Sequence, residues 1–262
     1  MKYYIVDTFA DKIFSGNQAG VCIVEKVLDD STMQNIASEN NLPVTAFIAK
    51  NTNGYTLRYF TPELELDLCG HALLASAYIV LRFVEPNIDA ISFQTRSGLL
   101  KVKKKNDLYE MDLPTYKLST IPVTKEMEEV IGFCPVEAWI GRYLVCVLEK
   151  EEHILQVNPN KEKLDKLDCL SLQITAKGKD CDCVTRSFYP NSSIIEDSVC
   201  GSGHCHVIPY WSERLQKSEL TARQLSKRGG TLYCKNNEGR VNIAGKAVLY
   251  LEGDIAYEKH GI

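Results

Sequence analysis

The sequence predicts an α+β protein of two pseudo-symmetric domains, each a curved, mostly antiparallel sheet around one central helix. Three observations carry that prediction. Short runs of alternating apolar residues bounded by turn residues recur along the chain. Each half holds one apolar stretch of helical character, residues 72–80 and 207–211. The two halves also repeat one order of anchor residues.

The anchors are explicit. Arg58-Tyr59-Phe60-Thr61-Pro62 leads into Leu68-Cys69-Gly70-His71-Ala72, and Arg186-Ser187-Phe188-Tyr189-Pro190 leads into Glu196-Asp197-Ser198-Val199-Cys200-Gly201-Ser202. Downstream, Arg96-Ser97-Gly98 matches Arg228-Gly229-Gly230, and the register then holds so that Tyr109 and Met111 fall on Val241 and Ile243. Upstream, Ala49-Lys50 matches Ala176-Lys177. Such an order means two copies of one fold, split near residues 120–127. Residues 1–118 form the first domain and 119–262 the second, with the site expected in the cleft between them.

Taken in order, residues 3–9 and 20–25 read as strands around a turn at Ser15-Gly16-Asn17-Gln18. Asp30-Ser31-Thr32 caps a helix to about Glu39, with Met33, Ile36 and Ala37 on one face. Strands follow at 44–49 and 55–60, then the first Cys-Gly and its helix, then strands at 91–95, 99–103 and 109–113. The second half repeats this with strands within 137–148, a helix at 161–167, and strands at 170–176 and 182–188. The second Cys-Gly helix, which contains Pro209, and strands within 230–252 complete it.

Composition excludes several classes. With 34 acidic and 30 basic residues the formal charge is −4, and no basic stripe points to nucleic acid. No apolar run is long enough for a membrane span, and the first residues read as a strand rather than a leader. Ten cysteines without a secretion signal predict free thiols in a cytoplasmic protein.

The chemistry centres on the two Cys-Gly sites. A thiol at a helix N-terminus feels the positive end of the dipole, which predicts a lowered pKa. The free N–H groups of the first turn suit a substrate carboxylate. Cys69 and Cys200 are the only cysteines followed by glycine, and a facing pair would remove and return a proton without a cofactor. The bland alternative is that both are small residues fitted to a tight turn. His71 and Asp197 are the other titratable candidates at these loops, with a structural histidine and a helix cap as their bland alternatives. Cys181-Asp182-Cys183 and Cys200 through His206 raise zinc, but they lack knuckle spacing, so no metal is expected.

At these residues the chain resembles the PhzF-like phenazine-biosynthesis isomerase family and, more distantly, diaminopimelate epimerase and proline racemase, which share the duplicated fold. Asp7-Thr8-Phe9 with Gly16-Asn17, Phe60-Thr61-Pro62 through Ala72, Glu196 through Ser202, Arg228-Gly229-Gly230 and Gly239-Arg240-Val241 carry the resemblance. It implies a diaminopimelate epimerase-like fold, a homodimer, no cofactor, and supporting roles for His71, Asp197 and Ser202 with Gly70 beside the substrate. The family's catalytic glutamate belongs to an Asn-Leu-Ser-Glu-Thr stretch. Here the stretch is Asn41-Leu42-Pro43-Val44-Thr45, and valine cannot move a proton.

The sequence therefore predicts a cofactor-independent isomerase, an epimerase, racemase or proton-shift enzyme acting on a small carboxylate-bearing substrate. Cys69, Cys200, Asp197 and His71 are the expected catalytic residues. Asn17, Gly70, Gly201 and Ser202 are the expected substrate-binding residues. A second isomerase reading leaves the proton to Asp197 and His71. A third is a non-catalytic ligand-binding or regulatory family member that lost its base at Val44.

Overall fold

Burial on alternate residues sets the first sheet. In the computed structural model, which describes residues 1–52 and 54–257, β1 (Lys2–Thr8) buries Tyr4 and Val6. It pairs antiparallel with β2 (Asn17–Val24). Gly16, at φ +66°, makes the connection possible, because a Cβ there would stand 2.0 Å from the Thr8 carbonyl oxygen. The expected turn at 15–18 is thus shorter, with Asn17 and Gln18 already in the strand.

Helix α1 (Asp30–Asn40) buries Met33 and Ala37. Its cap is Asp29 rather than residues 30–32, since the Asp29 carboxylate accepts from Thr32 N at 2.9 Å. β3 (Thr45–Asn51) runs parallel to β2, and β4 (Gly54–Phe60) returns antiparallel to β3. The two-residue β5 (Glu65–Leu66) pairs with the end of β4 and delivers the chain to α2 (Gly70–Ile79). Every residue of α2 is buried, the pattern of a helix enclosed by core rather than lying on it. A π-helical turn, Val80–Val84, ends it. β6 (Ala90–Thr95), β7 (Gly98–Lys105) and β8 (Leu108–Pro114) follow.

The second unit adds β9 (Ser119–Ile121), α3 (Lys125–Ile131), β10 (Glu137–Ile140), β11 (Leu144–Val147), α4 (Glu151–Gln156) and α5 (Lys161–Leu164). The helix expected at 161–167 is only a single turn, and α3 and α4 are additional to the expectation. β12 (Leu172–Lys177), β13 (Cys183–Phe188) and β14 (Glu196–Asp197) lead to α6 (Gly201–Leu215), which is followed by β15 (Glu219–Gln224), β16 (Gly230–Asn237), β17 (Arg240–Gly245) and β18 (Ala247–Asp254). Pro209 sits inside α6 and cannot donate to the Cys205 carbonyl, which instead accepts from Tyr116 N at 3.5 Å.

The duplication is visible in the pairing. In the first unit β2–β3 is parallel, β3–β4 and β4–β5 antiparallel, β4–β6 parallel and β6–β7 antiparallel. In the second, β11–β12, β12–β13, β13–β14, β13–β15 and β15–β16 repeat that series in the same senses. Arg58 stands opposite Phe47 and Arg186 opposite Ile174, so Ala49-Lys50 and Ala176-Lys177 do occupy one register.

The division of the chain departs from the expected one. Its two units are Met1–Asp112 with Ala244–Ile262, and Leu113–Ile243. The last strand returns to β1, pairing Lys2 with Asp254, because β1 has a second edge whose backbone groups need partners.

Candidate active site

One device aims both Cys-Gly loops. In the first unit the Arg58 guanidinium grips Glu65 through Nε (2.7 Å) and Nη2 (2.5 Å) and lies 5.2 Å from the Phe60 ring. In the second, Arg186 grips Glu196 through Nε (2.6 Å) and Nη2 (2.9 Å) and lies 5.0 Å from the Phe188 ring. Two-pronged guanidinium–carboxylate pairs fix orientation as well as distance, so each short hairpin enters its helix at a set angle.

In the first loop, Cys69 has extended backbone (φ −142°, ψ 109°) and is the N-cap residue of α2, but its side chain makes no cap bond. The sulfur instead faces His71, 3.4 Å from Nδ1 and 3.7 Å from Nε2. Asn17 Nδ2 stands 3.2 Å from the same Nδ1 and, as an amide donor, places the ring proton on Nε2. Thr8 Oγ1 donates to the Asn17 carbonyl at 3.0 Å, and Phe14 N donates to Asp7 Oδ2 at 2.8 Å, which holds the loop that presents Asn17. Cys69, Gly70, His71 and Asn17 are all buried. Four of the expected residues are therefore grouped within the first unit.

The second loop treats its thiol differently. The Cys200 sulfur caps α6, accepting from Gly203 N at 3.3 Å, and lies 3.3 Å from Tyr189 Oη and 3.5 Å from Ser202 Oγ. Tyr189 Oη donates to Asp197 Oδ2 at 3.1 Å. Gln224 ties the loop to β15, accepting from Cys200 N at 2.8 Å and donating to the Asp197 carbonyl at 2.7 Å. Ser202 Oγ lies 3.2 Å from Tyr143 Oη. Asp197, Cys200, Gly201 and Ser202 are thus grouped within the second unit.

The expected lowering of thiol pKa does not occur at Cys200. Burial pushes the thiol up to about 12, and the Asp197 carboxylate adds to the rise. The Ser202 and Tyr189 hydroxyls and the Gly203 N–H beside the sulfur oppose it without overcoming it. A helix end stabilises a nearby anion only modestly, whereas removing a thiolate from water beside a carboxylate costs more.

Beneath α6 lies a buried polar layer. Gln173 accepts from Ser187 Oγ at 2.5 Å and donates to Ser171 Oγ at 2.8 Å. A Cβ on Gly203 would meet Gln173 Oε1 at 2.2 Å, so glycine is required for this approach. His206 stacks between Tyr116 (4.5 Å between ring centroids) and Tyr143 (4.7 Å). It donates through Nδ1 to the Ser202 carbonyl at 3.1 Å and accepts at Nε2 from Tyr143 N at 3.3 Å. Burial pushes both His204 and His206 down to about 4.

Sequence reasoning missed Tyr143, Gln173, Tyr189, His206 and Gln224. Tyr189 lay within an anchor motif, while Gln173 and Gln224 come from strands with no local sign of their role. Among the described residues no group of three or more His, Cys, Asp or Glu is arranged to hold a metal. Among the described residues the ten cysteines form no disulfide, and the Cys181 thiol donates to the Cys183 carbonyl at 3.2 Å. Among the described residues no helix is long and apolar enough to cross a membrane.

The phenazine biosynthesis-like protein family model matches residues 6–253. A Pseudomonas aeruginosa protein named as an uncharacterized isomerase is 39% identical over 257 residues, covering 97% of this chain and 98% of its own. The crystal structure of a PhzF-family phenazine biosynthesis protein from Enterococcus faecalis is 44% identical with a TM-score of 0.95, covering 97% of this chain and 98% of that one. A hydroxyproline epimerase from Agrobacterium vitis, 11% identical with a TM-score of 0.64, covers 97% of this chain and 90% of its own and shares the fold alone. The expected diaminopimelate epimerase-like α+β fold is thus observed, and this chain belongs to the phenazine biosynthesis-like (PhzC-PhzF) protein family.

Proposed function

We propose that this protein is a cofactor-independent isomerase that moves a proton at one carbon of a small carboxylate-bearing substrate, with Cys69 and Cys200 as its base and acid. The observation that carries this reading is the opposite setting of the two thiols. The Cys69 sulfur lies 3.7 Å from His71 Nε2, whose N–H can donate to a thiolate. Cys200 is pushed up to about 12 by burial and by Asp197, and so enters as the protonated partner. A thiolate removing a proton on one face and a thiol supplying one on the other inverts a carbon. The first turns of α2 and α6, together with Asn17 and Ser202, suit the substrate carboxylate. The isomerase name of the Pseudomonas relative and the fold shared with a hydroxyproline epimerase support the reaction class.

The family's glutamate mechanism is not part of this reading. Val44, in that glutamate's place, is 3% exposed, and its carbonyl accepts from Gly20 N at 2.9 Å. Val44 also favours a second reading, a ligand-binding member without turnover. Deuterium incorporation from solvent into a panel of amino and hydroxy acids separates the two. The isomerase exchanges at least one of them, and Cys69→Ser and Cys200→Ser each lower that exchange by about 10²–10⁴-fold. Exchange that survives both substitutions removes the thiols from the reaction. Ligand binding without exchange favours the second reading.

A further inference from the structure

We propose that Tyr189 is the proton conduit between the buried Cys200 thiol and the Asp197 carboxylate, letting Cys200 lose and regain its proton without a second negative charge beside it. The inference rests on the reading of Cys200 as an acid/base group.

The geometry is a chain of donors pointing one way. The Tyr189 hydroxyl commits its hydrogen to Asp197 Oδ2 at 3.1 Å, which leaves its oxygen to accept from the Cys200 S–H at 3.3 Å. The β13–β14 hairpin builds this contact. Ser187 pairs with Asp197, and Tyr189 N donates to the Ile195 carbonyl at 2.9 Å, so the phenol is held across the hairpin from the carboxylate. Cys200 is 2% exposed, whereas Asp197 is only half-buried.

The other groups facing Cys200 cannot take its proton. Ser202 leads on to Tyr143, whose phenol is pushed up to about 12 by burial. His204 faces the Cys200 carbonyl through Nδ1 at 2.7 Å and Thr185 Oγ1 through Nε2 at 3.3 Å, so its ring nitrogens are engaged away from the sulfur. The Cys205 thiol, raised to about 12, holds its own proton.

In the forward step the Cys200 S–H bond breaks and its proton joins the Tyr189 oxygen, while the proton already there moves to Asp197. The products are a thiolate, a neutral tyrosine and a neutral carboxylic acid. One negative charge is present before and after, and no co-reactant is needed. The two forms are tautomers, so their ratio does not depend on pH. The reverse step returns the proton to sulfur. Tyr189 acts through Cys200 and is therefore a positioning and relay residue.

Labelling of Cys200 by methyl methanethiosulfonate, followed by peptide mass spectrometry against pH, tests the relay without a substrate. In the wild-type protein the labelling rate stops falling in acid, where the pH-independent tautomer outweighs the thiolate that solvent supplies. In Tyr189→Phe and in Asp197→Asn it falls about tenfold per pH unit, because only solvent can then take the proton. Circular dichroism of the same samples shows that each variant is folded, and either variant alone suffices. A tenfold-per-unit fall in the wild type overturns the relay, as does a plateau that survives in a folded variant. A Cys200 left unlabelled at every pH also counts against it, since the relay supplies a standing route to thiolate. A plateau in a protein that exchanges no tested acid keeps the relay and sinks the isomerase reading. Exchange lost in Cys200→Ser, in a protein whose thiol shows no plateau, does the reverse.

Discussion

In the first half the sulfur of Cys69 is left out of the helix cap and faces an imidazole, while in the second the sulfur of Cys200 is the cap and faces a phenol and a carboxylate. The strand registers make the comparison residue by residue. Thr61 stands where the second half has Tyr189, Leu66 where it has Asp197, His71 where it has Ser202, and Ala72 where it has Gly203. Asn17, which reaches His71, has Gly141 at its counterpart. One scaffold thus carries two sets of polar residues at different positions. The shared parts set where the thiols stand, and the unshared parts set what each sulfur faces.

The shared arginine clamp gives the largest expected effect. Arg58 holds Glu65 and Asp30, whereas Arg186 holds Glu196 and also donates through Nη1 to the carbonyls of Ile154 (3.1 Å) and Val157 (2.6 Å) at the end of α4. Removing Arg186 therefore strands a carboxylate and two carbonyls. Arg186→Ala is expected to cost about 4 kcal/mol. Arg58→Ala is expected to cost about 2 kcal/mol, since Arg96 still holds Glu65 at 2.8 Å. Urea midpoints measure both, and equal losses would mean that the α4 carbonyls add nothing to the clamp.

Much of this duplication was legible in the sequence because its anchors are local. An arginine before Phe and Pro, a carboxylate before Cys-Gly, and a glycine opening a later strand each leave a mark within a few residues. The first helix was legible to within two residues, since the polar cap and the Met33 and Ala37 face are short-range signals. The closing strand was not legible, because its pairing with β1 joins residues some 250 apart, as with Lys2 and Asp254. Nor were Gln173 and Gln224, whose amides act on a loop from other strands. The expected thiolate failed at Cys200 for a related reason. The dipole belongs to the helix and could be read locally, but burial belongs to the whole unit.

Gly203 sharpens the contrast at the next scale. Gly203→Ala pushes a methyl group into the Gln173 amide, which is fully buried and bound to Ser171 and Ser187, and is expected to cost about 3 kcal/mol. The reciprocal change, Ala72→Gly, meets no such layer and is expected to cost about 1 kcal/mol through helix propensity alone. Thermal unfolding of the two variants decides this. A Gly203→Ala protein as stable as wild type would mean that the polar layer repacks freely.

Acid should also separate the halves. Both imidazoles pushed down to about 4, His204 and His206, lie on α6, where α2 carries Leu73 and Ala75. Burial is the main cause in each case, and nearby Arg142 adds to it at His206. The sign follows from the depressed folded values. As pH falls below about 6.5, the unfolded chain binds protons that the folded one refuses, so stability is lost down to about pH 4 and no further. At about pH 5 the loss is about 2 kcal/mol for each imidazole. Amide hydrogen exchange at about pH 7 and about pH 5, corrected for intrinsic rates, reads the two helices separately. Residues 201–215 should lose about that much protection per imidazole relative to residues 70–79. Equal losses would move the acid sensitivity from the two histidines to carboxylates common to both halves, and the difference between the loops would then lie in their thiols alone.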